Sequence, residues 1–163
     1  MSLPEPATVE RVDLPRYMGT WYEIARLPMR HEPAGATDVS ATYALRDDGR
    51  VEVRNRMWHR GELQEAVGEA EALDGSGSRL EVSFLPEGLR WIPFTRGDYW
   101  ILALDPAYRV ALVGSPDRRY LWLLAREPLL DEITRTHYLS IAQARGYDLA
   151  ELIHTPHTDR PTA

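Results

Sequence analysis

Eight short β-rich runs, each closed by a turn signal, constrain this chain more than any other feature of its sequence. They fall at 20–27, 39–45 (VSATYAL), 51–58 (VEVRNRMW), 63–73, 79–84 (RLEVSF), 99–104 (YWILAL), 109–113 (RVALV) and 120–126 (YLWLLAR). Between them lie RDDGR (46–50), HRGE (59–62), DGSGS (74–78), LPEG (85–88), LDPAY (104–108) and SPDRR (115–119). Asp-Gly and Pro-initiated segments have backbone reasons to turn. Connections of hairpin length make an up-and-down meander the simplest topology. Eight meandering strands remove both sheet edges by closing. The expected fold is therefore all-β, an eight-stranded antiparallel up-and-down barrel. The run at 63–73 is rich in Ala and Glu and could also be a surface helix, but Gly68 in its middle weakens that alternative.

Residues 131–146 (DEITRTHYLSIAQARG) read as a helix, with acids at the start and Arg145-Gly146 at the end. Leu130, Ile133, His137, Ile141 and Ala144 fall near one stripe, which the outer barrel wall would receive. Residues 148–154 then supply a short final strand. One domain spans 13–155, and the Pro-, Thr- and charge-rich ends, 1–12 and 156–163, are expected to be loose.

Composition removes several function classes. Nineteen bases, every one of them Arg, against 25 acids give a net charge of −6, the wrong sign for a nucleic-acid binder. There is no Cys, hence no disulfide framework, thiolate metal site, Cys nucleophile or lipoprotein attachment residue. Residues 1–13 contain no apolar core of a signal peptide, and no apolar run approaches the roughly 18–20 residues of a membrane span. No Gly-x-Ser-x-Gly elbow, P-loop or dinucleotide glycine fingerprint is present. The paired histidines of HTPH (154–157) sit in the tail around a Pro, an unsuitable metal site, and no cofactor is expected.

Particular residues carry a family resemblance. GTWYEIAR (19–26), preceded by LPRYM (14–18), resembles the Gly-x-Trp signature of the lipocalins. ALDPAY (103–108) keeps the turn and last Tyr of the second signature but has Asp105 where the first Tyr would stand. Arg126 in YLWLLAREP supplies the third. ATYALRDDG, WIPFTRGDYWILALDP, ALVGSPDRRYLW and ARGYD are similar to the bacterial, Blc-like branch, whose members bind fatty acids or lysophospholipids. The likeness covers about residues 13–154. It implies that Gly19, Trp21 and Arg126 form the barrel floor, with the Arg guanidinium against the indole, a contact worth about 0.5–2 kcal/mol. It also implies a cell-envelope location for a chain trimmed at its N-terminus, and a cytoplasmic one otherwise.

With Trp21 pointing inward, alternation assigns the remaining faces. The inner wall then carries Glu23, Ala25 and Leu27; Val39, Ala41 and Tyr43; Val53, Asn55 and Met57; Ala66, Gly68 and Ala70; Leu80, Val82 and Phe84; and Tyr120, Trp122 and Leu124. Opposite faces include Thr42, Glu52, Arg54, Arg56, Glu81 and Ser83. The run at 99–104 is apolar on both sides, so its parity stays open. Small residues at 66, 68 and 70 would leave room inside. Glu23 is either a satisfied polar group near the floor or a hydrogen-bond partner for a ligand.

Loops at 28–38, 58–62, 85–98 and 114–119 would form the mouth. Arg30, Arg60, Arg96 and Arg118 are its head-group candidates, either solvated or turned toward an anion. Leu89, Trp91, Ile92 and Phe94 would cap the barrel if folded back, or mark a membrane-surface or homodimer contact if exposed. The expected function is non-enzymatic carriage of a fatty acid or lysophospholipid. The alternatives are a lipid- or isoprenoid-modifying enzyme, built on Glu23, Asn55, Tyr43 and Tyr120, and a pigment carrier, which would need an inward His.

Overall fold

The computed structural model describes residues 3–29, 32–84 and 96–158, Arg96 through its backbone alone. The chain opens with a short helix, α1 (Leu14–Tyr17), whose Pro15 lies in the first turn, where its missing N–H costs nothing. Eight strands follow: β1 (Gly19–Arg26), β2 (Thr37–Leu45), β3 (Val51–His59), β4 (Glu62–Ala72), β5 (Arg79–Phe84), β6 (Arg96–Leu104), β7 (Val110–Gly114) and β8 (Leu121–Ala125). Helix α2 (Glu132–Ala144) and strand β9 (Ile153–His154) complete the order. The Ala- and Glu-rich run is thus strand β4.

Neighbouring strands pair antiparallel, and β1 closes the barrel by pairing with β2 through residues 19–22 and with β8 through residues 22–26. Past Tyr22, β1 parts from β2, and β9 takes up the freed edge opposite Ala25 and Arg26. The barrel is therefore eight strands closed, with a ninth outside.

Two bulges set which side chains enter the barrel. Opposite β8, the register of β1 shifts between Glu23 and Ala25, leaving Ile24 as the extra residue. A bulge reverses the alternation beyond it. Ala25 and Leu27, expected inside, instead join Ile24 in the apolar layer under α2, with Tyr138, Ala142 and Tyr147. In β6 a similar shift between Ile101 and Ala103 explains why parity could not be read there. Trp100 and Leu102 lie beneath α2, while Ile101 belongs to the barrel interior.

Helix α2 begins at Asp131, whose carboxylate accepts from the Thr134 N–H at 3.0 Å. Its docking face differs from the expected stripe. Tyr138 and Ala142 are buried, and Leu130, Leu139 and Ile141 pack beside them. Ile133 is 83% exposed, and His137 and Ala144 also face solvent. The buried face is centred on Tyr138 and Ala142 rather than on Ile133 and His137.

Residues near both described ends hydrogen-bond to the barrel. Val9 N–H donates to Ile101 O at 3.0 Å and Val12 N–H to Ser76 O at 2.8 Å. At the other end, Thr155 N–H bonds Ile24 O on β1, and Asp38 N–H on β2 bonds Pro156 O. Residues 153–158 therefore lace the seam where β1 and β2 diverge.

Candidate ligand-binding site

The barrel floor is built around Trp21, which is fully buried. Its indole N–H donates to Tyr17 O at 2.8 Å, which ties α1 across the barrel end. The Arg126 guanidinium lies 3.9 Å from the indole centroid. It donates to Tyr108 O (3.0 Å), Met18 O (2.9 Å), Thr20 O (3.2 Å) and Arg16 O (2.9 Å). Gly19 has φ +100°, and a Cβ there would stand 3.3 Å from Arg126 Nη1, so a side chain would be both strained and crowded. Asp105, the departure in the second signature, has its own work: its carboxylate accepts from Val110 N–H at 2.7 Å and fixes the turn that presents Tyr108. Val51, Val53, Ala70, Leu80, Ile101 and Val113 pack this lower half.

Above the floor lies a cavity of about 390 Å³, within the roughly 300–1,000 Å³ usual for small-molecule sites. Thirteen of the eighteen residues expected on its wall line it: Glu23, Val39, Ala41, Tyr43, Val53, Asn55, Met57, Ala66, Val82, Phe84, Tyr120, Trp122 and Leu124. Ala25 and Leu27 are turned outward by the bulge, as described above. Ala70 and Leu80 lie lower, in the packed floor layer. Gly68 leaves no space: a Cβ there would meet Ser83 O at 2.5 Å and the Phe84 ring at 2.8 Å. The Phe84 ring occupies the room that a glycine opposite it provides.

Aromatic groups define the deep end. Tyr17 and Tyr99 share a hydroxyl hydrogen bond of 2.7 Å, and the Tyr43 ring meets Tyr99 edge-on at 5.8 Å. Burial pushes the Tyr43 phenol up to about 12 and, as the largest cause, raises those of Tyr17 and Tyr99 as well. These hydroxyls are neutral at physiological pH. Tyr120 and Trp122 stack at 6.2 Å along another part of the wall.

The β1 side of the cavity carries a polar cluster that strict alternation hides. The bulge at Ile24 swings Arg26, which is fully buried, toward Glu23. Its Nη1 meets Glu23 Oε2 at 3.1 Å, its Nε meets Glu32 Oε2 at 3.0 Å, and its Nη2 donates to Pro33 O at 2.7 Å. Thr155 Oγ1 adds a bond to Glu23 Oε2 at 2.6 Å. Burial first, then the adjacent Glu23 charge and a hydrogen bond with Glu23, raise the Glu32 carboxyl well above its ordinary range, against the pull of Arg26. Glu32 and Arg26 were not foreseen as site residues. Glu32 lies in a loop with no periodicity, and Arg26 moved inward by a bulge that leaves no mark in the sequence.

Of the four arginines expected at the mouth, two have described side chains, Arg60 and Arg118. Arg118 turns away, donating from Nε to Arg145 O at 2.7 Å and from Nη2 to Pro4 O at 2.6 Å. It anchors α2 and the N-terminal segment rather than facing a ligand. Arg60 is exposed on the β3–β4 hairpin, at φ +53°. Arg30, the Arg96 side chain and the apolar segment containing Leu89, Trp91, Ile92 and Phe94 lie outside the described residues. Met29, Ser40, Arg56, Gln64, Gly97, Asp98, Tyr99, Ser115 and Asp117 also line the cavity among the described residues. Of the HTPH histidines, His154 lies in β9 and His157 Nε2 sits 2.7 Å from Glu23 O. Among the described residues no group of three His, Cys, Asp or Glu is disposed to hold a metal.

Comparison with known proteins agrees with this geometry. The family described as "Lipocalin-like domain" matches residues 12–157. Temperature-induced lipocalin-1 of Arabidopsis thaliana is 41% identical over 160 residues, covering 96% of this chain and 86% of its own length. The outer membrane lipoprotein Blc of Escherichia coli K12 is 42% identical over 149 residues, covering 89% and 79%. Insecticyanin from the tobacco hornworm Manduca sexta shares the fold at 19% identity, with a TM-score of 0.76 over 97% of this chain and 87% of its own. A closed barrel, a Trp–Arg floor and a cavity above it, on a chain with these relatives, identify a member of the lipocalin family, a non-enzymatic binder of a hydrophobic ligand.

Proposed function

We propose that the cavity holds one acyl chain, carried by a fatty acid or a lysophospholipid, for transport, storage or maintenance of the cell envelope. The observation that supports this reading most is a blind cavity of about 390 Å³ with Tyr43, Tyr99 and Leu124 toward its inner end and Val39, Met57, Val82 and Trp122 on its wall. Burying a methylene contributes about 0.8 kcal/mol, so some fourteen would give roughly 11 kcal/mol gross. Association costs of about 4–15 kcal/mol reduce this to micromolar binding. The envelope role rests on kinship with relatives named as outer membrane lipoproteins.

Organic extraction of the purified protein followed by mass spectrometry tests the reading. An amphiphile with a single acyl chain, near one per protein, is the expected result. Recovery of none, together with no quenching of tryptophan fluorescence by any added acyl chain, would remove it.

A further inference from the structure

Three phenols from three elements meet at the inner end of the cavity: Tyr17 from α1, Tyr43 from β2 and Tyr99 from β6. The Tyr17 and Tyr43 rings stack at 5.9 Å, and Tyr99 stands edge-on to both, at 6.5 Å and 5.8 Å. The Tyr99 hydroxyl shares a bond of 2.7 Å with that of Tyr17 and also bonds that of Tyr43. Tyr17 closes the cluster from behind, 2% exposed, while Tyr43 and Tyr99 line the cavity. Each phenol carries a single proton. Three hydroxyls joined by two bonds therefore keep one proton that no member of the cluster accepts. Tyr99 can donate to only one neighbour. The spare proton rests on Tyr99 if it donates to neither, on Tyr43 if it donates to Tyr43, and on Tyr17 if it donates there. The first two arrangements turn the proton toward the cavity. The third buries it behind the cluster, which is the costly choice.

We propose that Tyr43 and Tyr99 form a hydrogen-bonding site for an oxygen at the buried end of the ligand, so that the cavity favours an acyl chain bearing a hydroxyl or keto group at or next to its terminus over the same chain ending in methyl. The inference rests on reading the cavity as an acyl-chain site entered tail first, and it applies to a fatty acid and a lysophospholipid alike. A methyl end would pack well against Val53, Val82 and Leu124. It would also cover the spare phenol proton and leave it unpaired, which costs free energy. An oxygen in the same place accepts that proton. Sites that bond a polar group reject the analogue lacking it more sharply than apolar pockets sort by size. The floor strengthens the preference. Burial raises the Tyr17 and Tyr43 phenols and keeps them protonated, while the Arg126 guanidinium acts on both in the opposite sense. A cation beside protonated phenols makes them stronger donors and favours the negative end of a ligand dipole.

Calorimetric titration of the intact protein at neutral pH with two matched pairs is the test: palmitate against 16-hydroxypalmitate, and palmitoyl lysophosphatidylcholine against its 16-hydroxy counterpart. Each pair shares one head group and one chain, so the ratio within a pair reads the buried end alone. In wild type the hydroxylated member should bind more tightly, in whichever pair binds. Tyr43→Phe and Tyr99→Phe keep the rings and remove the hydroxyls. Each should move the ratio toward the methyl-ended ligand by about ten-fold, equivalent to about 1.4 kcal/mol. A merely structural role for the phenols would weaken both members equally and leave the ratio where it was. A methyl-ended ligand binding wild type as tightly as its hydroxylated partner overturns the inference and leaves the acyl-chain reading intact. A ratio unchanged in the folded Phe variants overturns the role given to Tyr43 and Tyr99. If one variant fails to fold, the other and the wild-type ratio decide, and if both fail the wild-type ratio decides alone. Failure of all four ligands to bind overturns the acyl-chain reading itself, and the inference with it.

Discussion

Arg126 covers the Trp21 indole at 3.9 Å while donating to four backbone carbonyls, those of residues 16, 18, 20 and 108. One guanidinium therefore joins α1, the start of β1 and the β6–β7 turn into a single plug. The planar fork is what makes this achievable, since a Lys ammonium has three donors and no face to stack. Arg126→Lys should lower unfolding free energy by about 1–3 kcal/mol. Trp21→Ala should cost about 3–5 kcal/mol. Urea titration checks both, and values within about 0.5 kcal/mol of wild type, the range of ordinary surface substitutions, would remove the plug from the account.

Glu32 should give stability a pH dependence of defined sign. Its carboxyl is held above the ordinary 4.5, chiefly by burial. The folded protein therefore binds this proton more tightly than the unfolded chain. The stabilisation is complete below pH 4.5 and is lost as pH rises through the folded value. Glu32→Gln keeps the shape and removes the titration. Urea midpoints measured over a pH series should show wild type losing stability relative to the variant as pH rises from 4.5. Curves that run parallel would contradict the assignment.

The C-terminal lacing depends on Asp38, a buried residue at φ +52°. Its carboxylate accepts from Thr158 N–H and Thr158 Oγ1, both at 2.7 Å, and from Thr37 Oγ1 at 2.7 Å. Burial alone would raise the Asp38 carboxyl. The hydrogen bonds from Thr158 and Thr37, with the nearby His157, overcome this and hold it below its ordinary 3.8. Asn tolerates the left-handed backbone, so Asp38→Asn isolates the charge. It should cost about 1 kcal/mol at neutral pH, and the difference should vanish as pH falls through the lowered Asp38 value. A cost that persists unchanged in acid would point to shape instead.

The strands were legible because each run stops at a turn with a backbone cause. In RDDGR, for example, Gly49 has φ +88° and Arg46 N–H bonds Arg50 O at 2.7 Å. The floor was legible because Gly19, Trp21 and Arg126 each occupy a position that few other residues could fill. What escaped was phase. One extra residue at Ile24 sent Ala25 and Leu27 outward and Arg26 inward, and no residue type announces a bulge of that kind. Likewise, nothing in an Arg-rich loop shows that Arg118 would be used on the carbonyls of Arg145 and Pro4. The Gly68 vacancy was inferred from one strand, whereas the ring filling it comes from Phe84 on the next.

The most direct test of the acyl-chain account is a pair of crystal structures, one with a fatty acid and one with a lysophospholipid, each brominated at the end of its chain and located by anomalous diffraction. The account predicts one bromine peak per protein, deep in the barrel beside Tyr43, Tyr99 and Leu124. A peak outside the barrel wall, or an unoccupied interior at saturating ligand, would contradict it.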